Sequence, residues 1–215
     1  GSLPEFAEKF CLNNSTKKYD LKSAIKAENK NLLYAADIIY RMLAIQGVPE
    51  AEYYVARKLE WLWHGRKIDG WNVKKFKNRT FIDWYRTAAI KGYAHAARRL
   101  STCYLIGVGV NKNRSLAMKW AVYALMLNDK HANIAIGAIY WDEKKWSFAA
   151  CAYRNAYKKT KEANIQFLYG IAFIKSSGIN ARTLNAIRRF LFLHLAEQFN
   201  KGDILVTSMT NPNYI

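Results

Sequence analysis

The sequence predicts an all-α fold, an α/α solenoid in which antiparallel helix hairpins stack into a right-handed superhelix with a concave and a convex face. Three observations carry this. The stretch Ile39-Tyr40-Arg41-Met42-Leu43-Ala44-Ile45-Gln46-Gly47 returns as Trp84-Tyr85-Arg86-Thr87-Ala88-Ala89-Ile90-Lys91-Gly92, in phase at Tyr, Arg, Ala, Ile and Gly. Self-similarity at this spacing marks units that bury their apolar faces only by stacking on one another. Apolar residues recur at helical spacing between glycine and proline breaks, and no window alternates in the manner of a strand.

The elements follow in order. Asp20 to Lys30 is charged and helix-permissive, and Asn31 to Tyr40 carries apolar residues at i, i+3 and i+4, a helix closed by Gly47. Pro49 sits where a new helix can begin, and Tyr54, Val55, Leu59, Leu62 and Trp63 keep helical spacing up to Gly65. A long polar loop then leads to a helix over Thr80 to Lys91. The order repeats with helices over Ala94 to Leu105 and Ser115 to Leu127, joined through Gly107 and Gly109. His131 to Trp141 and Trp146 to Lys159 form a third hairpin; Ala163 to Ile174 and Ala181 to Asn200 form a fourth. The domain plan is Gly1 to Phe6 as vector-derived residues, a single solenoid over 7–201 with an N-terminal helical cap, and an irregular tail over 202–215.

Composition narrows the function classes. Of 215 residues, 51% are hydrophobic, ample for a packed core, and no apolar run approaches the roughly 18 residues of a membrane span. The chain reads as soluble. Its net charge of +18 is uneven: residues 1–50 hold 7 basic against 6 acidic groups, and 51–161 hold 22 against 7. Such a field attracts an acidic protein, nucleic acid or an anionic surface. Cys11, Cys103 and Cys151 are an odd set without CxxC spacing, so neither a zinc site nor a disulfide framework is implied. Cys103 and Cys151 fall on apolar helix faces as small hydrophobes.

One unit has a specific pattern. Ala94 and Ala96 are small, Leu100-Ser101 is a Leu-small pair, Tyr104 is aromatic, Gly107 to Val110 reads Gly-x-Gly-Val, and Ala117, Trp120 and Ala124 follow. Residues 93–129 thereby resemble a Sel-one-like repeat (SLR), a relative of the tetratricopeptide repeat. Trp84-Tyr85-Arg86-x-Ala88-Ala89-x-x-Gly92 keeps the same pattern, as do Ala152-Tyr153-Arg154-x-Ala156 and Gly137, so the resemblance spans about 31–161. It implies a non-catalytic scaffold for protein-protein interaction, in bacteria an adaptor or an immunity protein that neutralises a toxin by binding it. A removed signal peptide would place it in the periplasm, and otherwise the bacterial cytoplasm is expected.

Catalytic patterns are missing from the sequence. Gly107-Val108-Gly109 follows a helix and lacks the third glycine and the lysine of a phosphate loop; His64, His95, His131 and His194 show no metal-ligand spacing; no Gly-x-Ser-x-Gly elbow occurs. No cofactor is expected. The candidate partner-binding residues are those between core positions on the first helices of two hairpins: Tyr53, Arg57, Lys58 and Trp61, then His95, Arg98, Arg99 and Thr102. Arginine with aromatics is the composition of interface anchors. A second basic patch comprises Lys67, Lys74, Lys75, Lys77 and Arg79. An acidic protein is the expected partner; nucleic-acid binding, through phosphate contacts and stacking, is the alternative.

Overall fold

The computed structural model describes residues 20–30, 32–68 and 79–178. Gly1 to Phe6, Cys11, Lys74, Lys75, Lys77, His194, the helix expected over Ala181 to Asn200 and the tail lie outside the described residues. Within them the elements are α1 (Leu21–Asn29), α2 (Leu33–Ile45), α3 (Pro49–Trp63), α4 (Phe81–Ile90), α5 (Ala94–Ile106), α6 (Arg114–Met126), α7 (Ala132–Asp142), α8 (Trp146–Thr160) and α9 (Ala163–Ser176). Each packs on its neighbours in chain order, and α5 also reaches α7, as stacked hairpins require. The described part is an all-α helical-repeat solenoid.

Local chemistry fixes the helix ends. Thr80 and Asp83 form a reciprocal capping box at α4, Asn113 accepts from the Leu116 amide at 2.9 Å, and Pro49 occupies the first turn of α3. Every helix from α2 to α9 is followed by a residue in the left-handed region: Gly47, Gly65, Gly92, Gly107 and Gly178, but Asn128, Lys144 and Lys161 around the third hairpin. A lysine there carries a steric cost that glycine avoids. The short link over Asp142 to Lys145 thus turns on Lys144 instead of a glycine.

Small residues set the spacing of the stack. Ala51, Ala56, Ala88, Ala89, Ala96, Ala97 and Ala124 are fully enclosed, so helices approach closely, while Val55, Tyr85 and Leu100 fill the volume between them. Two glycines are sterically required. A Cβ on Gly109 would lie 2.2 Å from the Phe81 ring, at a φ of +69°, and one on Gly137 would lie 2.5 Å from the Tyr153 ring. The Gly-x-Gly loop therefore lets one hairpin close over the aromatic start of α4.

One burial expectation is corrected. Cys103 is buried, and burial pushes its thiol up to about 12, whereas Cys151 is exposed on α8. The core face of α8 runs through Ala149, Ala150, Ala152, Tyr153 and Ala156, which turns position 151 outward. No described helix is long and apolar enough to cross a membrane.

Candidate partner-binding surface

The apolar face of α3 (Ala51, Val55, Ala56, Leu59) is buried, and helical geometry turns Arg57, Lys58 and Trp61 away from it. There they make a ridge of cations around an indole. The Arg57 guanidinium lies 5.3 Å from the Trp61 ring centroid, the Lys58 ammonium 5.5 Å, and Arg66, just beyond the helix, 5.8 Å. Lys58 also lies 5.1 Å from the Tyr54 ring, which stacks on Tyr40 of α2 at 4.0 Å. The rings hold long cationic side chains in place without neutralising them. Among the described residues, Arg57, Lys58 and Arg66 form no ion pair with a carboxylate.

The other candidates, Thr102 apart, take part in the seams between hairpins. Glu60 is 2% exposed and receives Arg99 through Nη2 at 2.6 Å and Nε at 3.1 Å, with the Tyr85 hydroxyl donating at 2.7 Å. This ties α3 to α4 and α5. Asp129, 3% exposed in the α6–α7 turn, lies 2.6 Å from Nδ1 of His95 and accepts from Nε of Arg98 at 3.2 Å and from the His131 amide at 2.7 Å. Tyr53 packs against Tyr93, Tyr85 and His95 with ring centroids 5.1 to 6.4 Å apart, and the Thr102 hydroxyl donates to the Arg98 carbonyl. The structure therefore brings Arg57, Lys58 and Trp61 together, and it places Tyr53, His95, Arg98 and Arg99 in the neighbouring seams, while Thr102 bonds only within α5.

The electrostatics follow from burial. Burial by itself would raise the Asp129 carboxyl, but the Arg98 charge, the His131 amide and His95 outweigh it and hold the group below its ordinary value. Burial and the adjacent Glu60 carboxylate push the Tyr85 phenol far up, so it stays a neutral donor. Similar ties mark other junctions: Lys91 donates to the buried Glu52 at 2.8 Å and to the Gly47 carbonyl at 2.9 Å, and Nε2 of His131 meets Glu162 at 2.7 Å.

Sequence reasoning missed Glu52, Glu60, Lys91, Asp129, Tyr54 and Arg66. A signal existed for two of them, because Glu52, Ala56 and Glu60 share the i, i+4, i+8 face that the alanine marks as core. Lys67 of the basic patch is exposed, and Arg79 stacks on the Trp84 ring at 3.9 Å while donating to Thr87 at 2.8 Å. No group of histidine, cysteine or acidic side chains among the described residues is arranged to hold a metal ion.

No family profile and no curated protein matches the chain. Solved structures do match it. A protective antigen of uropathogenic Escherichia coli strains that displays an SLR fold is 27% identical, with a TM-score of 0.52, over 67% of this chain and 30% of that one. A Sel1 repeat protein from Oxalobacter formigenes is 23% identical, with a TM-score of 0.46, over 61% of this chain and 51% of that one. The chain thus spans less than a third of the antigen and about half of the second protein. Taken with the stacked hairpins and the Gly-x-Gly-Val turn, the likeness to the antigen supports a Sel1-like repeat helical protein.

Proposed function

We propose that the protein is a non-catalytic scaffold that binds an acidic protein through the α3 ridge of Arg57, Lys58, Trp61 and Arg66. One observation carries the reading: on this ridge the cations rest on aromatic rings with no described carboxylate against them, whereas those of the adjoining seam are spent on buried acids. A ring-supported, unneutralised cation cluster offers charge and apolar area together, the combination found at interface anchors. The net charge of +18 adds long-range attraction, so association should be fast and weaken with salt. The SLR fold is generally an interaction scaffold, which supports the reading at the level of class. An adaptor or a toxin-blocking immunity protein would use the same ridge, and the identity of the bound protein separates these two roles.

The test compares wild type with an Arg57→Glu, Lys58→Glu, Trp61→Ala variant, each used to capture material from a lysate of the source organism with and without nuclease treatment. A saturable acidic protein lost with the variant supports the proposal. Equal capture by the folded variant removes the ridge from it, and recovery of nuclease-sensitive material alone moves the assignment to nucleic acid.

A further inference from the structure

A second surface lies on α6 and differs from the same face of the other hairpins. With Trp120 set in register with Trp84, Val122 and Met126 occupy the places of Arg86 and Ile90, and Lys119 that of Asp83. The repeated Tyr-Arg pattern puts Arg41 and Arg154 at the place of Val122 in α2 and α8. Three hairpins therefore present an arginine where α6 presents a valine. On α4, Arg86 pairs with Asp83 at 3.0 Å and reaches the Tyr104 hydroxyl at 3.4 Å, and on α2, Arg41 pairs with Asp37, so a polar pair closes the face. On α6, among the described residues, no ion pair closes the face at Val122. Val122 is 41% exposed, Met126 is 73% exposed, and a groove of about 720 Å³ opens beside them.

The groove has a floor and a charged rim. Met118, Val122 and Met126 follow one another at i, i+4 and i+8, with Tyr140 of α7 on the facing wall. Methionines make a deformable apolar floor. On the rim, Lys145 pairs with Glu143 at 2.8 Å and Arg114 is held by Asp142, while Lys119 has no ion pair among the described residues. An apolar row of this kind offers a floor on which the apolar face of an amphipathic helix can lie.

We infer that this groove docks an acidic amphipathic helix of a protein partner, its apolar side chains on Met118, Val122 and Met126 and its carboxylates toward Lys119. Charge complementarity selects the occupant. A second copy of this chain would bring +18 against +18, which opposes association, whereas an acidic helix is drawn to the rim. The surface is on a different hairpin from the α3 ridge and does not depend on it.

The probe is a synthetic, fluorescently labelled peptide of about 14 residues, with leucine at every fourth position and alanine and glutamate elsewhere, set beside a control with each leucine replaced by serine. The protein is labelled at its methionine methyls. The expected result is saturable binding that shifts the Met118 and Met126 signals and leaves Met42 of α2 in place. Val122→Glu should weaken binding at least about tenfold, and Arg57→Glu with Lys58→Glu should not change it. If Val122→Glu lowers the melting temperature, Val122→Ser takes its place. Absence of binding, equal binding of the serine control, shifts confined to other methionines, or binding untouched by the Val122 variants would each overturn the inference.

Discussion

Glu60 and Trp61 are consecutive on α3, yet they belong to different regions of the molecule. On the seam side, Glu60 is buried and takes both Arg99 and Tyr85; on the ridge side, Trp61 supports Arg57, Lys58 and Arg66 with no described carboxylate in reach. The same residue types therefore do opposite work. A cation against a buried acid holds two hairpins together, because removing it strands a charge away from water. A cation on a half-buried surface ring is restrained but remains available to a partner. Counting basic residues cannot separate these cases; the position of the few acids does.

The sharpest way to break this comparison is to truncate one arginine on each side. Arg99→Ala leaves Glu60 buried without its cation and should cost on the order of 3 kcal/mol in urea unfolding. Arg57→Ala should stay within about 0.5 kcal/mol of wild type. Equal losses would erase the distinction. A steric probe inside the third hairpin comes next: Gly137→Ala drives a methyl into the Tyr153 ring and should cost about 2 kcal/mol, read from the thermal midpoint.

Acid sharpens the comparison further. Asp129 has a folded-state pKa below its ordinary 3.8, so it contributes stability above that value and the contribution is lost as pH falls through the lower folded value. The α5–α7 seam should therefore weaken below about pH 4, and an Asp129→Asn variant should show a smaller stability loss over that interval. The smallest expected effect concerns the turns. Lys144→Gly and Lys161→Gly relieve left-handed lysines and should each stabilise by about 0.5 to 1 kcal/mol, against no gain at a helical lysine such as Lys158.

Helix positions are legible in this sequence because periodicity and punctuation coincide: Thr80 caps α4, Pro49 opens α3, and the glycines after α2, α4 and α5 stand where the chain reverses. Arg57, Lys58 and Trp61 are legible for a similar reason, since all three contacts are set within a single helix. The seam is not. Arg99 meets Glu60 across 39 positions and Arg98 meets Asp129 across 31, and such pairs follow from how hairpins stack. Reversing Arg98 and Arg99 alongside Arg57 and Lys58 would therefore damage the fold as well as the candidate surface. Lys91 teaches the same lesson, because a lysine that looks solvent-facing neutralises Glu52. The outward turn of Cys151 is a helix-phase matter: apolar residues flank it on both sides, and one step of rotation decides which face it joins.

The central claim is that binding resides in the ridge and folding in the seam. Its most direct measurement is a calorimetric titration of the captured acidic partner into wild type and into the Arg57→Glu, Lys58→Glu variant, with unfolding midpoints recorded on the same samples. Loss of at least about tenfold in affinity at an unchanged midpoint is the expected result. Undiminished affinity in the folded variant would contradict the claim.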